Sequence, residues 1–317
     1  MTHREGAAEA PAAIDRVRAR AAFDAYVAPY DADNPRIALK VEHTLRVSEL
    51  AQRIAQGAGF SPAGIDICWL AGLLHDIGRF EQLRRWDTFR DDDSADHAAI
   101  GVDVLFEGAT HLDDPALVHA VPAPRPDDDA FAAHACEAGA LAAFAPGTAA
   151  DPAGAELIRA AVGYHSAFRL PDALDVRTRA VCDVVRDADK IDILRVTCTD
   201  DVETVLGITE DELLASDVSP AAEDAFFSHR CVRRDERREP ADYLVGLACF
   251  TYELVYPASL EIALDQGFIF QPFERPFGIR RAFTNRATAH LMNRMDGHLR
   301  AWVDERTEAS GARTPAL

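Results

Sequence analysis

Apolar residues recur along most of this chain at helical spacing. In "RIALKVEHTLRVSELAQRIAQ", Ile37, Val41, Leu45, Leu50 and Ile54 fall on one face, the stripe that an amphipathic helix turns toward a core. Asn34-Pro35 ahead of it supplies a side-chain cap and a proline for the first helical position, and Ser61-Pro62 repeats the device before "AGIDICWLAGLLHDIG". That second run is apolar nearly all round, which predicts a buried helix closing near Gly78. Further helices are predicted over about 94–107, 128–144, 152–165, 175–192, 240–266 and 280–307, with a kink or break at Pro257. Only "GFIFQPF" hints at strand alternation, so the pattern predicts an all-α fold.

Length and composition narrow the picture. With 317 residues, 48% of them hydrophobic, the chain can bury a large core. The first 13 residues, rich in Ala and charge, predict a disordered tail; residues 14–200 predict a helical core, and 201–310 a C-terminal helical region packed on it in the same domain. The Pro-, Ala- and Asp-rich stretch 108–155 reads as loops around short helices, a lid or a tolerated insertion. Six scattered cysteines without a C-x-x-C pair predict free, mostly buried thiols. No signal-peptide core and no membrane-length apolar run is visible, which predicts a cytoplasmic protein without a membrane partner. The net charge of -20 argues against a nucleic-acid polymer as partner, because phosphate binding rests on Lys and Arg. An anionic small-molecule substrate would then need a strong local positive charge, and metal cations are the strongest available.

Polar residues inside the apolar helices are where such cations would sit. His43 stands among Val41, Leu45 and Val47; His75 and Asp76 end the greasiest run; His97 begins one helix, His165 ends another, and Asp189 lies within "VCDVVRDADKIDILRV". Taken singly, each is a satisfied core polar residue more often than a ligand. The only two lysines, Lys40 and Lys190, both neighbour this set, Lys40 three residues before His43 and so on the same helical face. Arg79, Arg84, Arg85 and Arg90 follow the His-Asp pair; each is a candidate for phosphate or for an ordinary ion pair. The run "RDDDSADH", with Asp91, Asp92, Asp93 and Asp96, offers carboxylates that could ligate a metal, but reads first as a solvated loop leading into a helix capped by Ser94, with Asp96 favourable in its first turn. His111, His119 and His134 are weaker ligand candidates in the irregular middle region, while His3, His229, His290 and His298 have no supporting context.

In order, the six residues read His, His-Asp, His, His, Asp. This order, with the phrases "EHTLRVSELA", "LLHDIGRFEQ", "DHAAIGVDVL" and "RDADKIDILR", resembles the motif blocks of the HD-domain metal-dependent phosphohydrolase superfamily. The likeness covers about residues 35–200 and, more loosely, the helices near 240–305. It implies an HD-domain helical bundle in which His43, His75, Asp76 and Asp189 hold one metal and His97 and His165 a second, with Asp76 bridging. The likeness is closest to the branch with extra histidines, which includes dinucleoside-polyphosphate hydrolases. Two departures stand out: Tyr164-His165-Ser166 replaces the paired histidines of some dinuclear relatives, which leaves one or two ions open, and Arg79 stands where many have Lys.

The resemblance implies cleavage of a phosphoester or phosphoanhydride in a small phosphorylated metabolite or nucleotide. Asp76 and Lys190 would take part in the reaction, and Arg79 and Lys40 would touch substrate phosphate. Mixed imidazole and carboxylate ligands suit Fe, Mn, Co, Ni or Zn, whereas an all-oxygen set would suit Mg or Ca. Two other chemistries use similar sites or folds: a di-iron oxygenase, and a regulatory module that binds a phosphorylated ligand without turnover.

Overall fold

Caps written into the sequence start most of the helices. In the computed structural model, which describes residues 13–107, 139–199 and 201–311, α1 (Arg16–Val27) begins where the Asp15 carboxylate accepts the Arg18 amide. Asn34 does the same for Arg36 at the head of α2 (Pro35–Gly57), and Ser61 for Gly64 at the head of α3 (Pro62–Leu74). Each of these side chains satisfies an amide that the first helical turn leaves without a partner. The remaining elements of the first half are α4 (Ile77–Trp86), α5 (His97–Val102) with a π turn over 103–107, α6 (Leu141–Phe144), α7 (Pro146–Ala150) and α8 (Pro152–Tyr164). Then come α9 (Val176–Thr199), α10 (Val202–Leu206), α11 (Glu210–Ala215), α12 (Pro220–Phe227), α13 (Ala241–Cys249), α14 (Pro257–Gln266), α15 (Gln271–Glu274) and α16 (Arg286–Gly311). The fold is all-α. None of the described helices is long and apolar enough to cross a membrane.

The chain forms two compact units, one ending at Val185 and the other starting at Arg186, so the boundary falls inside α9. In the first unit, α3 is buried from Ile67 to Leu74 and packs on α2, where Val47, Leu50, Ala51 and Ile54 face inward. Gly72 permits that approach, since a Cβ there would lie 2.9 Å from the Ser48 Cα. Helix α1 lies outside the predicted runs because its apolar residues are mostly alanine and form no marked stripe; it buries only Ala19 and Phe23, and Phe23 meets the edge of Phe80 at 6.0 Å.

The buried helix does not end at Gly78. It stops at Leu74, and α4 starts three residues later, so Gly78 lies in the first turn of α4. Its role is close approach: a Cβ there would lie 2.2 Å from His97 O and 2.5 Å from Gly101 N of α5. Ser94 is not the cap of α5 either. Asp96 accepts the Ala98 amide at 2.9 Å, while buried Ser94 accepts from Gln82 at 2.7 Å and donates to Arg90 O at 2.7 Å.

In the second unit, two buried carboxylates organise chain turns. Asp242 accepts the amides of Ser219, Arg238 and Glu239, and Asp187 accepts those of Val255 and Tyr256 together with the Ser259 hydroxyl. Burial pushes the Asp187 carboxyl up to about 6 against these bonds and the nearby Lys190. The run expected as one helix over 240–266 divides: α13 ends at Cys249, a 3-10 turn follows, and Pro257 opens α14 as its first residue. A proline there loses no helical hydrogen bond, so it begins a helix instead of kinking one. "GFIFQPF" forms no strand; it holds turns and the start of α15. The stretch 108–138, with His111, His119 and His134, lies outside the described residues, and its flank 139–155 forms α6, α7 and the start of α8.

Backbone atoms, which cannot rotate away, bound the space at Gly78. Gly78→Ala should therefore destabilise the protein by about 2 kcal/mol or more, the range of core overpacking. Urea unfolding checks this, and an unchanged midpoint would mean that α4 and α5 separate freely.

Candidate metal centre

Four helix ends and one helix middle deliver the central side chains of the first unit. His75 is the residue on which α3 closes, and Asp76 is the residue before α4, so the pair sits at a junction between two helices. His43 comes from the buried face of α2, His97 is the first residue of α5, and His165 follows the last residue of α8. All five are buried, none more than 4% exposed.

The Asp76 carboxylate lies between two histidine pairs. Its Oδ2 is 3.6 Å from His43 Nε2 and 3.6 Å from His75 Nε2, and those two nitrogens are 3.3 Å apart. Its Oδ1 is 3.6 Å from His97 Nε2 and 3.4 Å from His165 Nε2, and these nitrogens are 3.0 Å apart. The ligand atoms of each trio thus fit around a single ion. Donors bound at about 2.0–2.2 Å from one metal lie roughly 2.9–3.6 Å from each other, which is the spacing both trios show.

Ring tautomers point the same way. His75 Nδ1 lies 2.8 Å from Gly72 O, and His165 Nδ1 lies 2.7 Å from Val162 O. A carbonyl oxygen only accepts, so each Nδ1 carries hydrogen and each neutral ring turns an Nε2 lone pair inward. His97 Nδ1 meets Asp91 Oδ1 at 2.9 Å with the same consequence. The Nε2 atoms of His97 and His165 then face each other as two acceptors, an arrangement that a shared cation relieves. Carboxylate or carbonyl support behind a ligating imidazole is the usual way of fixing its orientation.

Asp91 belongs to the acidic run that the sequence reads as solvated. It is held inside by His97, Arg79 Nη1 at 3.1 Å and Gln82 Nε2 at 3.0 Å, and although burial opposes it, these partners lower its pKa. Its only sequence signal is its place six residues before His97, which separates it from no other acid in the run.

Two cations flank Asp76. Lys40 Nζ lies 2.7 Å from Oδ2 and Arg79 Nε lies 3.6 Å from Oδ1, and both also face the Phe89 ring. Burial alone would raise the Asp76 carboxyl, but the Lys40 charge first, and then Arg79, hold it well below the usual range. The other arginines of the segment are engaged elsewhere: Arg84 and Arg85 with buried Glu81, and Arg90 with Asp93. Asp189 is a half-buried residue of α9 in the second unit, just past the boundary, and its neighbour Lys190 lies 3.2 Å from Glu253.

Residues 41–124 match the family model of the HD domain. A stretch of 52 residues, 16% of this chain, is 46% identical to a deoxyguanosinetriphosphate triphosphohydrolase-like protein of Corynebacterium diphtheriae. The match spans only 11% of that protein's length. No solved structure matches the chain.

Burial, and then the Arg79 charge, push the His97 imidazole down from 6.5 to about 4, although Asp91 pulls it up. The unfolded chain therefore takes up this proton at higher pH than the folded one does. The stability involved is intact above about pH 6.5 and is lost as the pH falls toward 4. Urea unfolding of chelator-treated protein between pH 7 and 4.5 measures it; His97→Gln should flatten the slope, and equal slopes would contradict the assignment.

Proposed function

From an HD domain over residues 41–124, we propose that this protein is a metal-dependent phosphohydrolase acting on a phosphoester or phosphoanhydride of a small phosphorylated metabolite or nucleotide. The observation that carries the reading is the buried carboxylate of Asp76, which offers one oxygen to each of two histidine pairs. His43, His75 and Asp76 would hold one ion, with Asp189 as a further ligand on the strength of the family resemblance; Asp76, His97 and His165 would hold the second. Imidazole and carboxylate donors favour Fe, Mn, Co, Ni or Zn. Bound there, such ions supply Lewis acidity to a phosphoryl oxygen and to water.

The protein's own cations supply the rest. Lys40 and Arg79 stand beside Asp76, and Arg79 Nε is a buried donor without a hydrogen-bond partner among the described residues. In a chain of net charge -20, two cations converging on one buried site mark where an anion is drawn in and its developing charge neutralised. Lys40 and Arg79 would make the phosphate contacts in this reading, because they stand beside Asp76, whereas Lys190, expected to take part in the reaction, lies 3.2 Å from Glu253. Between metabolite and nucleotide, the likeness to the deoxyguanosinetriphosphate triphosphohydrolase-like protein of Corynebacterium diphtheriae favours a nucleotide.

Elemental analysis of aerobically and anaerobically purified protein should find about two transition-metal ions per chain, and a screen of phosphorylated compounds should find metal-dependent phosphate or pyrophosphate release. Asp76→Asn should lose both properties, and a variant that kept them would sink the reading. Intact ligand after long incubation would replace it by the binding module, and oxygen uptake without phosphate release by the oxygenase.

Asp91→Asn should weaken binding of one ion by roughly 10–100-fold, as loss of a carboxylate behind a ligating histidine does, and leave the other in place. Lys40→Met should keep the metal content and lower kcat/KM by about 10–100-fold, the cost of one charged hydrogen bond to substrate. Metal titration and steady-state kinetics separate these two roles.

A further inference from the structure

A different pair of histidines meets in the second unit. His229 follows α12 and His298 stands on α16, and their Nε2 atoms lie 2.8 Å apart at the surface. Aromatic rings hold both imidazoles from the sides. Phe227 lies 5.2 Å from His298, while Tyr252 and Trp302 lie 4.6 and 6.1 Å from His229. The His229 backbone is in the left-handed region at φ 54, closed by its amide bonding to Phe226 O at 3.0 Å. Residues other than glycine adopt that conformation uncommonly.

We propose that His229 and His298 chelate a late first-row divalent ion, Cu(II) most tightly, at an accessory site separate from the Asp76 centre. Two imidazole nitrogens bound at about 2.0 Å and at right angles to each other lie about 2.8 Å apart, which suits tetragonal Cu(II) or Ni(II) better than tetrahedral Zn(II). The order of divalent affinities also places Cu(II) first. A plain hydrogen bond between the two rings is a weak alternative, because water competes for exposed donors and acceptors. It gives no reason for two rings to be fixed by packed aromatics. Burial, then His298 and Arg306, lower the His229 pKa, so the neutral, ligating form is favoured. The exposed edge of the pair leaves the remaining coordination positions to water. This site needs no residue of the Asp76 centre, so the inference stands or falls independently of the phosphohydrolase reading.

The test is equilibrium dialysis of the full-length protein against micromolar Cu(II), with the bound copper examined by electron paramagnetic resonance. Wild-type protein should bind one more Cu(II) per chain than His229→Asn or His298→Gln, and the extra ion should show two equatorial imidazole nitrogens. Both variants should keep the metal content that depends on Asp76. Asparagine tolerates the left-handed backbone at 229, so His229→Asn carries the test even if His298→Gln, on the packed helix, fails to fold. Equal copper content in wild type and His229→Asn would overturn the proposal and leave a hydrogen-bonded pair only.

Discussion

A carboxylate charge almost cut off from water organises the first unit. Asp76 is 3% exposed, and a buried ion without compensation is among the costliest features a fold can carry. Compensation here comes from Lys40 at one oxygen and Arg79 near the other, while four imidazole Nε2 atoms converge on the same two oxygens, where a cation would be held. That arrangement demands that α2, α4, α5 and α8 all reach the end of α3. Two glycines make the approach possible, Gly72 against α2 and Gly78 against α5. The apolar helix α3 then has a physical task. Its buried sides anchor the junction, and the His75-Asp76 pair stands at the point where the chain leaves one helix for the next.

Around this carboxylate, each support serves orientation. Gly72 O, Val162 O and Asp91 fix the three rings of His75, His165 and His97, so that lone pairs face inward. Gln82 ties Asp91, Ser94 and Ala95 O together, joining α4 to the segment ahead of α5. Asp91 also meets Arg79. A group that positions a ligand and a cation that would touch substrate are therefore linked through one side chain.

The second unit uses carboxylates differently. Asp187 and Asp242 gather backbone amides at turns and helix starts, doing for loops what caps do for helices. Its histidine pair, in contrast, lies at the surface and is held by aromatic packing. The same residue type thus appears in two settings, buried beside an anion in one unit and at the surface among aromatic rings in the other.

Local physics was enough to read the helices, the Asn34 and Ser61 caps and the order of histidines and aspartates, because helical spacing and capping act within about one turn of chain. The likeness to the HD domain over residues 41–124 was legible for the same reason, its phrases being short stretches of sequence. What only the tertiary structure decided involves partners distant along the chain or choices between equivalent residues. Gly78 looked like a helix end until α5 was seen lying against it. Asp91 was one acid of a run, and its bond to buried His97 distinguished it. Pro257 looked like a break within one helix, yet α13 had already ended at Cys249. His229 and His298, 69 residues apart, carry no sequence signal. Periodicity records which face of a helix is buried, but which side chain of another helix it meets is fixed only when the chain packs.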